Sequence, residues 1–237
     1  LVTGANRGVG LGMVKQFLKD KYFKFVFAGT RDPEKSAELN AINDPRLQII
    51  QLDVTDDKTI QDALKKARIV EAKVGSKGLD ILINNAGISG RYPISGPPNR
   101  ERLHQVYDVN AVGALIVTQV FLPLLKKSTY PKIIMISSAV GSIQASYGSW
   151  REEVGLVCYA MSKSAMNQVM KTLAVDHAEE KIIFASFCPG MVKTDFSGNT
   201  GDVTVEESTS VLVKSILNLK KHHSGGYFHR DMKAIPY

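Results

Sequence analysis

The chain has 237 residues, a formal charge of +7, and 44% hydrophobic against 22% charged residues. That length suits one large domain with a sizeable core, and the composition excludes a disordered chain. No continuous apolar run reaches the ~20 residues of a membrane span. The basic residues are scattered: Lys65, Lys66 and Arg68 on one helical pattern, Lys126 and Lys127 at the end of another, Lys220 and Lys221 near the C-terminus. Without a basic run or a basic-aromatic platform they read as solvated helix faces, not as a nucleic-acid surface. A second use of that charge is attraction of an anionic cofactor.

In chain order, short apolar segments alternate with longer amphipathic ones. Strands are expected at 1–3, 23–29, 47–53, 79–85, 132–138 and 182–188, with a short last one near 226–228. Most are β-branched and apolar throughout, as in strands buried on both faces. Helices are expected at 10–21, 57–74, 100–127, 157–178 and 205–220. Asp56 is placed to cap the second of these, and Thr204 with Glu207 reads as a capping box. The alternation predicts an α/β fold with a doubly wound parallel sheet, as a single domain over 1–237. Because Leu1 already lies inside a strand, the natural start is expected upstream, and a removed targeting segment stays open. Cys158 and Cys188 are no disulfide framework and read as free thiols in a reducing compartment, with the cytoplasm as the default. His222 and His223 have no paired ligand set that would suggest a metal.

Directly after the first strand comes "TGANRGVGLG", with glycines at Gly4, Gly8 and Gly10. A tight turn leaves the strand and a helix opens at its far side. Free N–H groups and the positive end of the helix dipole then face a pyrophosphate. An acid at the end of the second strand would hold a ribose 2′-hydroxyl. Here that strand ends "AGTRDP", with Thr30 in the expected position and Arg31 next, while Arg7 lies in the glycine loop. A guanidinium clamps a 2′-phosphate, which points to NADP. Asp32 is the complication: it pairs with Arg31, or takes the ribose role if the strand ends later. Asp53 ends the third strand as an acceptor for an adenine amino group, with Val54 packing the ring, or equally as a turn cap.

Further motifs follow the carboxyl ends of strands, or sit in helices facing that edge, where open α/β sheets bind ligands. They are "NNAG" (Asn84–Gly87), "DVN" (Asp108–Asn110), "SSAVG" (Ser137–Gly141), "YAMSK" (Tyr159–Lys163) and "CPGMVKTD" (Cys188–Asp195). In this order they resemble the short-chain dehydrogenase/reductase family over essentially the whole chain. "NRGVG", "LPLLKK", "SSAVGSIQ", "SKSAMN", "PGMVKTD" and "GGYF" are most similar to carbonyl reductases of the sniffer type.

The resemblance implies that Ser138 hydrogen-bonds the substrate carbonyl and Tyr159 donates its proton. It implies that Lys163 holds the nicotinamide ribose and favours a reactive tyrosine, and that Asn110 supports a water-linked proton path. It assigns Gly4, Asn6, Arg7, Gly8, Val9, Gly10, Arg31, Asp53, Val54, Asn84, Ala86, Gly87, Tyr159, Lys163, Pro189, Gly190, Val192 and Thr194 to cofactor binding. Some of these have structural alternatives: Asn84 satisfies strand-end groups, Pro189–Gly190 is a plain turn, Thr194 caps a short helix. Independently of the family, a tyrosine with a reference pKa of ~10 exchanges its proton poorly near neutrality, and a lysine ammonium and the nicotinamide's positive charge both favour the phenolate. Such a residue serves as acid in reduction and as base in oxidation.

The substrate is expected to be a small apolar aldehyde, ketone or quinone, bordered by 91–98 and 195–203. Tyr147 and Trp150 either line one wall or pack the insert before Tyr159 onto the sheet. The resemblance also implies a homodimer through helices 100–127 and 157–178, where Val112, Leu115, Ile116, Gln119, Val120, Met166, Val169, Met170 and Leu173 extend beyond one stripe. Internal packing of these helices is the alternative. Two other functions stay open: an NAD(P)-linked alcohol or hydroxysteroid dehydrogenase working oxidatively, and a nucleotide-sensing binding protein.

Overall fold

The computed structural model describes residues 1–75, 77–89, 92–145 and 155–237. Strands β1 (Val2–Thr3), β2 (Val26–Thr30), β3 (Leu47–Gln51), β4 (Ile81–Asn84), β5 (Lys132–Ile136), β6 (Ile183–Cys188) and β7 (Gly226–His229) form one parallel sheet among the described residues, in the order β3-β2-β1-β4-β5-β6-β7. Successive strands run outward from β1 in one direction and then outward from β4 in the other. The reversal opens a crevice above the carboxyl ends of β1 and β4, where this fold binds ligands.

Helices cover both faces. On one side α1 (Gly8–Lys19), the single turn α2 (Ala37–Asn40) and α7 (Val205–Asn218) bury Met13, Phe17, Leu39 and Leu212 against Ile83, Ile134 and Phe187. On the other, α3 (Asp57–Val74), α5 (Gly113–Leu125) and α6 (Val157–Asp176) bury Ile60, Phe121, Met166 and Met170 against Leu82, Ile133 and Phe184. Strands covered on both faces have no polar side to show, hence their continuous apolar text.

Helix ends lie within two residues of those predicted, the range over which ends fray. Asp56 caps α3 by accepting from the Lys58 and Thr59 amides. Thr204 and Glu207 form the expected capping box on α7. Thr204→Ala is expected to cost about 1 kcal/mol and to lower the thermal midpoint by about 2–4 °C, measured by calorimetry. Three expectations change. β2 begins at Val26, because Phe23 turns out of the strand to pack edge-on against Phe17, with centroids 5.2 Å apart. α2 has no counterpart in the sequence reading. The helix expected at 100–127 is α4 (Arg100–Tyr107), a π-helical turn (Asp108–Val112) and α5, in one continuous run. By length and composition that run is apolar enough to cross a membrane, although none of its unbroken apolar stretches has that length; here α5 packs on β4 and β5 and against α3 and α6.

Candidate active site

The glycine turn is shaped by its neighbours. Gly4 has φ of +61°, and a Cβ there would lie 2.9 Å from the Cα of Ala86. A Cβ on Gly10 would lie 2.3 Å from the Gly4 carbonyl oxygen and 2.5 Å from Asn85 Nδ2. Larger residues at either position would push the turn off β4. The N-cap of α1 is Arg7, whose side chain makes no capping bond, and the first turn carries no acid. The amides of that turn and the positive dipole end therefore face the crevice, as an anionic diphosphate requires.

Asn85 was not singled out in the sequence, yet its Nδ2 donates to the carbonyls of Thr3 (2.8 Å) and Gly4 (3.1 Å). The Thr3 hydroxyl accepts from the amides of Asn85 and Ala86, each at 3.0 Å. These bonds hold the glycine turn against the "NNAG" segment. Their signal was the paired asparagine itself, and it becomes legible only once β1 and β4 are known to be neighbours. Asn84 is buried and donates from Nδ2 to the Thr118 hydroxyl on α5 at 2.9 Å, a contact with a helix and not with the strand-end backbone.

At the end of β2, Thr30 is buried and its hydroxyl hydrogen-bonds Ser36 at 3.1 Å. Arg31 is exposed. Asp32 pairs with Lys35 at 2.8 Å, and that contact holds its carboxyl below the ordinary range. Asp32 thus pairs neither with Arg31 nor into the crevice, and the guanidinium stays accessible. Asp53 caps its own turn, accepting at Oδ1 from the Thr55 amide (3.0 Å) and hydroxyl (2.8 Å). Val54 packs beneath Gly113. Arg7 reaches Asp195 at 3.5 Å, with both side chains about two-thirds exposed (65% and 68%).

Beyond β5 the two serines separate. Ser137 is buried, while Ser138 is half-buried and its hydroxyl faces the Tyr159 phenol. Lys163 lies one turn further along α6, buried, with Nζ 5.6 Å from the Tyr159 ring centroid and donating to the Ile136 carbonyl at 2.8 Å. The same Nζ would stand 3.6 Å from a Cβ on Gly87, and Asn110 Oδ1 3.3 Å from it. Gly87, Asn110, Ser138, Tyr159 and Lys163 therefore meet at one place.

Burial governs the electrostatics. It pushes the Tyr159 phenol well above its ordinary pKa, with the Ser138 hydroxyl a smaller opposing influence. Burial also lowers Lys163 to about 8. The ammonium does not win the phenolate over: at 5.6 Å from the ring centroid, its field is outweighed by desolvation of the phenol. Near neutrality Tyr159 carries its proton.

Asn110 is held on three sides. Its Oδ1 accepts from the Ile88 amide (2.8 Å), and its Nδ2 donates to the Ile88 carbonyl and the Ser162 hydroxyl, both at 2.9 Å. The side chain clasps the segment after "NNAG" to α6, with both Nδ2 protons engaged and one Oδ1 lone pair left to accept. The π-helical turn around it is a local irregularity of the kind common at functional sites.

Pro189–Gly190 forms a turn whose Pro189 carbonyl accepts from the Ser208 hydroxyl at 2.7 Å. Val192 is buried. Thr194 precedes a short 3-10 turn (Asp195–Ser197), and its methyl lies 3.4 Å from where Gly8 would carry a Cβ. Phe196 of that turn stands edge-on over the Tyr159 ring, with centroids 5.7 Å apart. Ile94, Ile143 and Phe196 are exposed. Tyr147, Trp150 and Arg91 lie outside the described residues. Cys158 turns away from the site towards the Arg102 carbonyl.

The sequence profile of the short chain dehydrogenases matches residues 1–204. The chain belongs to the short-chain dehydrogenase family. An uncharacterized oxidoreductase of Schizosaccharomyces pombe is 32% identical over 256 residues, covering 100% of this chain and 96% of that protein. A crystal structure of NADPH-bound carbonyl reductase from chicken fatty liver superposes with a TM-score of 0.91 at 35% identity, covering 100% and 97% of the two chains. The carbonyl reductase Sniffer of D. melanogaster gives 0.91 at 30% identity, covering 99% and 97%. This member of the family thus has the architecture of the sniffer-type carbonyl reductases along its whole described length.

Proposed function

We propose that this short-chain dehydrogenase reduces apolar carbonyl compounds, aldehydes, ketones or quinones, with NADPH. The observation that carries the reading is the convergence of Tyr159, Lys163, Asn110 and Gly87 beside Ser138 at the crevice, with burial keeping the Tyr159 phenol protonated. Reduction needs the tyrosine as acid, and burial holds it in that form. Oxidation needs the phenolate, which burial disfavours.

The site fits the cofactor. The uncapped first turn of α1 suits the diphosphate, with Gly4, Asn6, Gly8, Val9 and Gly10 forming the cradle and Thr194 closing it. Arg31 and Arg7 suit the 2′-phosphate. Asp53, Val54 and Ala86 border the adenosine side, Gly87 lies beside Lys163 on the nicotinamide-ribose side, and Asn84 supports the end of β4 between them. Lys163 takes the nicotinamide ribose, and Pro189, Gly190 and Val192 border the ring. Bound there, NADPH supplies the hydride. The chain's own part is to orient the carbonyl by the Ser138 and Tyr159 hydroxyls, to pass the Tyr159 proton to its oxygen, and to exclude water with Phe196. The apolar side chains of Ile94, Ile143 and Phe196 favour an apolar substrate.

The reading extends to assembly. Two copies pair through the helical run 100–125 and α6, where Val112, Met161 and Val175 stand exposed. Met166 and Met170 belong to the core instead, having turned inwards onto the sheet. Scattering or sedimentation of the intact chain checks the pairing. The buried free thiols Cys158 and Cys188 suit the reducing cytoplasm.

The test is NADPH oxidation followed against a panel of quinones, aldehydes and ketones, with NADH in parallel. Turnover with NADPH supports the reading. Binding without turnover would favour a nucleotide sensor, and alcohol oxidation with NAD would favour the oxidative dehydrogenase. Arg31→Ala is expected to weaken NADPH by about 10-fold or more, the worth of a charge-assisted phosphate bond, with NADH little changed. Fluorescence titration of both nucleotides measures it.

A further inference from the structure

We propose that Tyr227 is a positioning residue for Ser138, bracing the serine's turn from within the sheet; this rests on the carbonyl-reductase reading above. The register of β6 and β7 sets Tyr227 beside Ser186, which is itself paired with Met135 of β5. Register partners in a parallel sheet project to the same face. Tyr227 therefore lies under α6, 2% exposed. Its hydroxyl donates to the backbone carbonyl of Ser138. Ser137 and Asn167 face the same phenol.

The far end of the turn is held as well. The Gly141 carbonyl accepts from the Ser164 hydroxyl at 2.9 Å and from Asn167 Nδ2 at 3.4 Å. The Gly141 amide returns to the Ser138 carbonyl at 2.8 Å. The Ser138 carbonyl thus has two donors, one from its own turn and one from β7. The second ties the peptide after Ser138 to the sheet, and the orientation of that peptide sets where the Ser138 hydroxyl points.

A phenylalanine would fill the same space without burying a hydroxyl that costs desolvation. The hydroxyl has a purpose if it fixes a geometry that packing leaves free. Hydrogen bonds that orient a catalytic group act on turnover, since a misplacement of about 1 Å costs up to ~10²-fold.

The experiment compares wild type, Tyr159→Phe, Tyr227→Phe, Ser138→Ala, the Tyr227→Phe/Ser138→Ala double variant and Tyr237→Phe. The substrates are 4-nitrobenzaldehyde and menadione with NADPH. Tyr237 stacks on Tyr227 and bonds the Gly225 carbonyl without touching Ser138. Tyr227→Phe is expected to lower kcat by about 10-fold, with KM and NADPH affinity little changed. Ser138→Ala is expected to lower it by about 100-fold, and the double variant no further. Tyr237→Phe is expected to keep the wild-type kcat.

An unchanged kcat in Tyr227→Phe, losses that multiply in the double variant, or an equal loss in Tyr237→Phe would each overturn the assignment. Should Tyr227→Phe not fold, Asn167→Ala, which removes the amide facing the phenol, is expected to lower kcat only while Ser138 is present. Equal losses in both backgrounds would again sink the idea. Failure of the reductase reading shows separately: wild type would not turn over either substrate, or Tyr159→Phe would match it.

Discussion

Tyr159→Phe is expected to lower NADPH-dependent carbonyl reduction by about 10³-fold, within the range for loss of a positioned general acid, while the cofactor still binds. The substitution is nearly isosteric. The ring keeps its edge-on contact with Phe196 and its place on α6, so packing has no reason to change. What disappears is the proton that burial keeps on the phenol and the hydroxyl that faces Ser138. Water, a far weaker acid than a phenol, is a poor replacement. Steady-state kinetics with a reactive quinone, beside a binding titration with NADPH, separates the two effects. A fall in kcat with unchanged cofactor affinity identifies Tyr159 as the acid. Comparable turnover in both proteins would remove it from that role and leave Ser138 polarising the carbonyl alone.

The parts of this site that were legible in the sequence are those whose chemistry lies close together along the chain. The glycine turn and the Tyr159–Lys163 spacing on one helix face needed only local pattern, while Ser138 came from the family resemblance. What was missed depends on which strands become neighbours. Asn85 staples the glycine turn because β4 pairs with β1, more than 80 residues away in sequence. Tyr227 reaches Ser138 because β7 lies beside β6. No local period announces either contact. α2 escaped for another reason, since a four-residue turn is too short to show a helical period. The burial that keeps Tyr159 protonated and lowers Lys163 has no local signal, because burial depth is a property of the folded layers and a sequence shows only which charges are near in number. Met166 and Met170 looked available for a partner for the same reason: a helix pressed between the sheet and a second helix buries more than one stripe.

Lys163→Met is expected to do two opposite things. Without the ammonium on the ribose side of the site, turnover should fall by at least about 10²-fold, as when a positioning contact is lost. The folded chain, however, should become more stable near neutrality. The lysine is buried, and its pKa falls from 10.5 to about 8. A folded pKa below the unfolded one means that the charged form is disfavoured in the fold. The penalty is fully present below pH 8, where both states are protonated, and amounts to about 3 kcal/mol for such a difference. Between pH 8 and 10.5 the unfolded state binds more protons than the folded one, so wild-type stability recovers as pH rises. Methionine removes that penalty and packs beside Met166, whose sulfur already lies 3.8 Å from Nζ. It also gives up the bond to the Ile136 carbonyl, which takes back about 1–2 kcal/mol. The net gain should be about 1–2 kcal/mol at pH 7 and should turn into a loss by pH 10.5. Tyr159, also titrating at high pH, is common to both proteins and cancels in the difference. Urea denaturation of both proteins at pH 7 and pH 10 measures it. A variant equally destabilised at both pH values would mean that the lysine is buried neutral at pH 7. The fold would then hold no strained charge beside its catalytic tyrosine.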